Sequence, residues 1–584
     1  MGHDRAATNG GGRAPSPKAK ASAASTFRHA VYAPLDDVFA DTTAANPVFP
    51  TPPADCGPIV CPVLISRSHS LPYLECLRHL AARGYRVVVQ VDARNADWCE
   101  RAYGAVFEVE RVPESVTAAL WADFAQKIED VAERGDEPAV MARLLGTMGS
   151  DFAKALYAWT RARAEEERPA LFVVDVFYGF AADVCDELGI PYAATTSGLV
   201  PGMADAPWTR PLYTQDGMPT TLRLSLPQRL HAATVEPATA LWAALPALRE
   251  AGRVRKALGV TAPRAGQASP ADRFRGRLTL VNTFWGHETA RPLPASVRLI
   301  GPVRSHGAAS AAQALEGRFA AFVAAAEARA RGRRASGAGG DEQGGAAARL
   351  VLLSFGQNCS LSTARLSALL GGLRRLLARG VIDGAVWSVS LTPEDRLVAA
   401  GLRDPALAPP DLVLVDTWVP QKALLEHPSV AAFVSHGGTE SSSECFFAAK
   451  PVLSVPHFSD QPRNSRLIEE AGAGIVLPKR TLSEEGVERA LERLVGPDER
   501  ASFVAAARRL RSIAIASGRL STERAADELE VVLHYGDDHL QPQGDAMGWI
   551  KRNNVDLYLA MAAVGVGVVA GAAALVGAVA RRRA

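Results

Sequence analysis

Between Trp418 and Gln461 the chain sets polar and aromatic side chains at intervals suited to gripping a phosphorylated ligand. Val430 to Val434 reads as a buried strand, His436-Gly437-Gly438 as a turn, and Thr439 as the N-cap of a following helix. Glycines at a strand-to-helix turn let backbone approach a ligand closely. The free N–H groups and positive end of the helix favour a phosphate. His436 adds a hydrogen-bond donor, and Glu444, one further turn along, can accept from ribose hydroxyls. Trp418 offers a flat face for a base and Gln421 an amide for its edge. Asp460 and Gln461 open another helix and suit sugar hydroxyls.

A second chemistry lies far upstream. His69 stands in the loop Ser66–Pro72, just after the apolar run Pro62-Val63-Leu64-Ile65. An imidazole with an ordinary pKa of about 6.5 suits a general base at neutral pH. Asp175 ends the run Leu171-Phe172-Val173-Val174 and could steady the imidazolium, as the carboxylate does in a catalytic triad. Taken alone, such a histidine is more often a surface or capping group, and the alternative for the aspartate is an N-cap or turn residue. Asp183 and Asp186, on the next helix, read as surface charges.

The order Trp418-x-Pro420-Gln421, His427-Pro428, His436-Gly437-Gly438-Thr439, Glu444 eight residues after His436, Pro451, Pro456 and Asp460-Gln461 resembles the donor signature of the UDP-glycosyltransferases. The resemblance covers about residues 60–535. It implies the GT-B fold, an α/β architecture of two Rossmann-like, doubly wound domains with a cleft between them. It also implies a UDP-sugar co-substrate, no metal and no other cofactor, and one-step inversion. By the same resemblance, Trp418 stacks on uracil and Gln421 bonds it. His436 and the backbone of Gly438, Thr439, Glu440 and Ser441 hold the diphosphate, Glu444 the ribose, and Asp460 with Gln461 the donor sugar. His69 is the base and Asp175 its support. Val281-Asn282-Thr283-Phe284 with Glu288, then Ile300-Gly301-Pro302, match the segment closing the first domain. Leu353-Ser354-Phe355-Gly356 matches the opening of the second. Two residues depart from the pattern. Glu440 puts a carboxylate beside the diphosphate, where turning away from it is the expected solution. Gln357 replaces a serine and could reach a phosphate or sugar oxygen.

These residues need a scaffold of alternating strands and helices. Leu74, Leu77, Leu80 and Ala81 recur at helical spacing, Gly84 suits a C-cap, and Val87-Val88-Val89 is the next strand, completing a βαβ unit. The pattern returns after Leu350. The expected organisation is a disordered extension over 1–54, an acceptor-binding domain over 55–304 and a low-complexity linker over 305–349. A donor-binding domain over 350–535, a juxtamembrane tail over 536–556, a transmembrane helix over 557–580 and a basic end over 581–584 follow.

With 584 residues, 48% of them apolar, the chain can bury two cores. A net charge of +2 gives no footprint for nucleic acid. Seven scattered cysteines without a CxxC pair argue against a zinc site and fit a reducing compartment. The N-terminus has no apolar run for a secretory signal, although a transit peptide is compatible with its composition. The apolar stretch from Leu557 to Ala580, bracketed by Lys551-Arg552 and Arg581–Arg583, is long enough to span a bilayer. Gly567 and Gly571 form a GxxxG step suited to helix pairing and self-association. These features suggest a tail-anchored, cytosol-facing enzyme of the endoplasmic reticulum. It would move glucose to a small lipophilic acceptor. A non-catalytic UDP-sugar or lipid binder and a UDP-sugar epimerase on the same architecture are the rival readings. Protease added to sealed microsomes should digest the catalytic body; its protection would overturn the topology.

Overall fold

Short apolar runs in this chain become parallel strands buried on both faces, which is why they read as continuous rather than alternating. In a computed structural model they form two sheets. The structure describes residues 52, 56–64, 67–122, 134, 138–200, 203, 225–260, 273–304, 315–335, 348–356, 359–390 and 392–583. The expected extension over 1–54 and the position Gln357 therefore fall almost wholly outside the described residues.

The first sheet takes β1 (Ile59–Val63), β2 (Val87–Val91), β3 (Glu108–Arg111), β4 (Leu171–Asp175), β5 (Tyr192–Thr196), β6 (Thr279–Val281) and β7 (Val297–Leu299). Their spatial order is β3-β2-β1-β4-β5-β6-β7. The second takes β8 (Leu350–Ser354), β9 (Gly384–Ser388), β10 (Val413–Asp416), β11 (Val430–Ser435), β12 (Val452–Ser454) and β13 (Gly474–Val476), in the order β10-β9-β8-β11-β12-β13. In each sheet the winding reverses once, between β1 and β4 and between β8 and β11. Those reversals open crevices at the C-terminal strand ends, where ligands bind in doubly wound folds.

The stretch 305–349, expected as a linker, contains the helix Gly317–Ala335. Phe319, Phe322, Val323, Ala326 and Ala330 are buried along it. Their helical spacing was present in the sequence but masked by Ala/Gly/Arg-rich composition. Ser429 donates to Glu327 at 2.6 Å and Arg329 to the Asp383 carbonyl at 3.1 Å, tying the helix to the second domain.

The boundary at 535 also shifts. The helix Ser521–Tyr535 returns to the first sheet, where Ala525, Ala526, Leu529 and Val532 join the core of Ile59, Leu74 and Leu77. Arg83 clasps it through Asp527 and Glu530, each at 2.6 Å. The tail beyond begins packed: Arg277 reaches Asp537 at 3.1 Å and Gln541 the Gly276 carbonyl at 3.1 Å. Asp183 is no surface charge. It is buried and paired with Arg255 at 2.8 Å and with Arg273. The helix Val555–Arg583 follows, and its stretch Val555–Arg582 is long and apolar enough to cross a membrane, with none of that apolar window buried in the protein.

The clasp yields a stability test. Arg83→Met leaves the carboxylate of Glu530, 1% exposed, without its cation. Tyr85 still donates to it at 2.8 Å. The expected loss is therefore at the low end of about 3–5 kcal/mol. It should appear as a lower Tm and earlier proteolytic release of the returning helix; an unchanged Tm would contradict the clasp.

Candidate active site

His69 and Asp175, the expected base and its carboxylate, stand at the first crevice. Asp175 ends β4, and the helix Arg67–Ala82 starts just beyond β1, the strand beside it. His69 lies in the first turn of that helix rather than in a free loop, so its position is set by the helix that buries Tyr73, Leu74 and Leu77. His69 Nδ1 and Asp175 Oδ2 are 2.9 Å apart. The imidazole is 21% exposed and the carboxylate 0%. Asp175 Oδ1 accepts the Phe177 N–H at 2.9 Å, and the Phe177 ring tilts against the imidazole at 5.5 Å. A carboxylate at Nδ1 requires the proton there, leaving Nε2 as the free base. Burial acts to lower the His69 pKa. The charge and hydrogen bond of Asp175 outweigh it, with a contribution from Asp460, and the pKa rises above 6.5.

The second crevice holds the phosphate-suited turn. His436 follows β11 and Gly356 follows β8, the adjacent strand. A Cβ on Gly356 would lie 2.9 Å from His436 Nε2, and one on Gly438 2.5 Å from it. Two bare backbones thus enclose the ring. Burial drives its pKa to about 4 against the pull of Asp460, so His436 is neutral. Gly437 adopts φ +79 and an added Cβ would meet Ser465 Oγ at 2.1 Å.

The helix Thr439–Ala448 is capped by Gly438, not Thr439, and no side chain closes its N-terminus. Thr439 is the first helical residue and donates to Asp460 Oδ2 at 2.7 Å. Asn464, which the sequence reading did not single out, donates to the same oxygen at 2.7 Å and to the Gly437 carbonyl at 3.2 Å. Its place one turn after Asp460 was a usable signal.

Trp418 is 56% exposed, leaving its indole open to a partner. Gln421, expected against a base edge, donates to Glu444 at 2.6 Å and to Ser441 at 3.4 Å. Gln461 is likewise partly committed. Its Oε1 accepts the N–H groups of His457 at 2.9 Å and Phe458 at 3.2 Å, closing the turn in which Ser459 holds φ 59. Glu440 is half-buried, and its charge is felt by Arg67 of the first domain and by Glu444. Burial, then Glu440, push Glu444 up to about 7. Among the described residues, no three His, Cys, Asp or Glu side chains come together as a metal-binding group.

Residues 387–581 match a family model described as UDP-glucoronosyl and UDP-glucosyl transferase. Over that stretch the chain is similar to the UDP-glycosyltransferase family. The UDP-glycosyltransferase stmC of Aspergillus ustus is 28% identical over 330 residues, 51% of this chain and 57% of that protein. A UDP-glycosyltransferase of Talaromyces amestolkiae is 32% identical over 253 residues, 38% of this chain and 46% of that one. The chain thus spans about half the length of the curated relatives it matches. Two solved structures share the GT-B fold. The glycotransferase of kitacinnamycin is 21% identical, with TM-score 0.55 over 82% of this chain and 99% of that one. Os79 from O. sativa, in complex with UDP, is 19% identical, with TM-score 0.52 over 81% of this chain and 100% of that one. The family match contains the whole run from Trp418 to Gln461 but neither His69 nor Asp175.

A carboxylate that accepts hydroxyl hydrogen bonds binds best when ionised. UDP affinity should therefore rise with pH through about 7 as Glu444 loses its proton. Glu440→Asn removes the neighbouring charge and should move that rise to lower pH, tightening UDP binding severalfold at pH 7. Calorimetric titration with UDP across pH checks this; a pH-independent Kd would contradict it.

Proposed function

We propose that the chain transfers a hexose, glucose first among candidates, from a UDP-sugar to a hydroxyl of a small lipophilic acceptor with inversion. The observation that carries the proposal is the 2.9 Å contact of His69 Nδ1 with Asp175, which reserves the other ring nitrogen, Nε2, for the acceptor. Nε2 takes the proton of the acceptor hydroxyl. The oxygen attacks the anomeric carbon from the face opposite UDP, and an α-linked donor yields a β-glycoside. Asp175 stabilises the imidazolium as it forms. Neutral His436 and the uncapped N–H groups of Thr439–Ala448 receive the charge that develops on the diphosphate. Trp418 stacks on the base, Glu444 takes the ribose, and Asp460 takes sugar hydroxyls. Gln461 acts there chiefly by holding the turn that presents Asp460. The UDP bound in the O. sativa protein supports the choice of donor.

Glucose is favoured over a uronic acid because Arg67, a first-domain cation whose charge Glu440 feels, is already set over the Trp98 ring at 5.4 Å. A lipophilic acceptor fits an enzyme held at a membrane by Val555–Arg582, with its catalytic domains in the cytosol.

The test is UDP release from UDP-glucose with a pool of lipophilic alcohols and phenols. Release should depend on the acceptor and fall about 10²–10⁴-fold in His69→Ala. Acceptor-independent release would replace transfer by epimerase or hydrolase chemistry, and UDP-sugar binding without release from any donor would leave a binding protein.

The pH profile checks the base itself. Only unprotonated His69 can accept a proton, so kcat/KM should rise with pH through a value above 6.5. Asp175→Asn removes the charge that raises the pKa. Its acid limb should move to lower pH while kcat falls. An unmoved limb would mean that another group titrates.

A further inference from the structure

Buried charge also joins the two domains through Glu288, whose segment the sequence placed at the close of the first domain. Arg463 Nη1 donates to Glu288 Oε1 at 2.6 Å, and Nη2 pairs with Oε2, a fork meeting a carboxylate edge-on. Their side chains are 1% exposed for Glu288 and 9% for Arg463, and Arg291 Nη1 lies 3.6 Å from Glu288 Oε2. Glu288 belongs to the first domain, just before β7. Arg463 lies in the first turn of the helix Gln461–Glu470, three residues after Asp460.

The same segment touches the phosphate-suited helix as well. The rings of Phe284 and His287 lie 5.5 Å and 4.9 Å from Phe446, near the end of Thr439–Ala448. Gly286 passes so close to the helix Arg500–Gly518 that an added Cβ would sit 3.0 Å from Ile513. Residues 284–291 therefore press on three helices of the second domain at once.

We propose that residues 284–291 are a brace of the first domain that fixes the Asp460-bearing helix relative to His69, with Glu288 and Arg463 as positioning residues for the donor sugar. The physics favours orientation over stability as their role. A buried ion pair is often no more stabilising than apolar residues of similar volume, whereas a bidentate fork fixes both distance and plane. Asp460 is held from its own domain by Thr439 and Asn464, which fix it to the phosphate-suited turn. Those bonds cannot set its distance to His69, which sits on a helix of the first domain. The Glu288–Arg463 pair crosses that gap. Misplacing a reacting group by about 1 Å can lower a rate about 100-fold, so a small slide of this helix would be felt in turnover. In the transfer reading UDP itself rests on Trp418, Glu444 and the helix Thr439–Ala448, all within the second domain. Loss of the pair should spare it.

The brace concerns the same site as the transfer reading and rests on it for the rate measurements, but not for the binding ones. The experiment uses full-length protein in nanodiscs: wild type, Arg463→Met, Arg463→Lys, and the double variant Glu288→Met with Arg463→Met, which keeps the volume filled without charge. Four quantities are read: Kd for UDP, Kd for UDP-glucose, kcat and Tm. The expected result for Arg463→Met is a UDP Kd within about threefold of wild type. The ratio of UDP-glucose Kd to UDP Kd should rise at least about tenfold, and kcat should fall about 10–100-fold. Arg463→Lys restores the charge without the fork and should recover only part of kcat. The double variant should regain the Tm lost in the single one but neither the ratio nor kcat. A double variant with wild-type ratio and kcat overturns the proposal. So does a parallel loss of both affinities and kcat tracking Tm, the mark of a merely structural pair. If wild type turns over no UDP-sugar, that failure falls on the transfer reading alone, and the ratio of the two dissociation constants still decides the brace.

Discussion

Two reversals of winding in two parallel sheets are the constraint on which the rest of the site depends. A parallel strand sends every loop at its C-terminal end to the same edge, and a reversal leaves adjacent strands there with helices diverging to opposite sides. Beside β1 and β4 this crevice receives His69 and Asp175. Beside β8 and β11 it receives Gly356 and His436. Residues 106 positions apart meet at hydrogen-bond distance for no reason more elaborate than this.

The electrostatics then follow from shielding the crevices from water. Burial alone would neutralise every group in the cleft, and it does so for His436. His69 escapes because a wholly buried carboxylate lies against it, so its basicity is raised rather than quenched. Glu444 falls between these cases: burial and Glu440 push it up, while the Gln421 amide holds it back. One imidazole is made more basic than usual and the other is kept neutral. Their sequence contexts, each a histidine just after a buried strand, differ little.

The second theme is how the domains are joined. The chain crosses from first to second through residues 305–349, and the helix within that stretch packs on the second domain. It returns through Ser521–Tyr535, clasped by Arg83. Glu288 and Arg463 make a further, largely buried crossing beside Asp460. With one returning helix and one side-chain fork both joining the two domains, the relative position of the sheets is tied to the geometry of the glycine turn that holds Asp460.

Much was legible in the sequence because it is local. Periodicity in Pro62–Ile65, Leu74–Ala81 and Val87–Val89 foretold the first βαβ unit, and the spacing from Trp418 to Gln461 foretold the strand, the glycine turn and two helices. Composition misled at residues 317–335, where Ala and Arg concealed five buried residues at helical spacing. The bare helix start at Gly438 was misassigned to Thr439, because a hydroxyl that caps and one that reaches Asp460 look alike in sequence. Residue types and local order thus determined the elements, the turn and the chemistry available. Only the tertiary structure decided which groups share a hydrogen bond, that Gln421 and Gln461 support neighbours, that Asp183 is buried, and that Glu288 faces Arg463. Such pairings depend on the packing of distant segments, and the burial that shifts their pKa values has no local code.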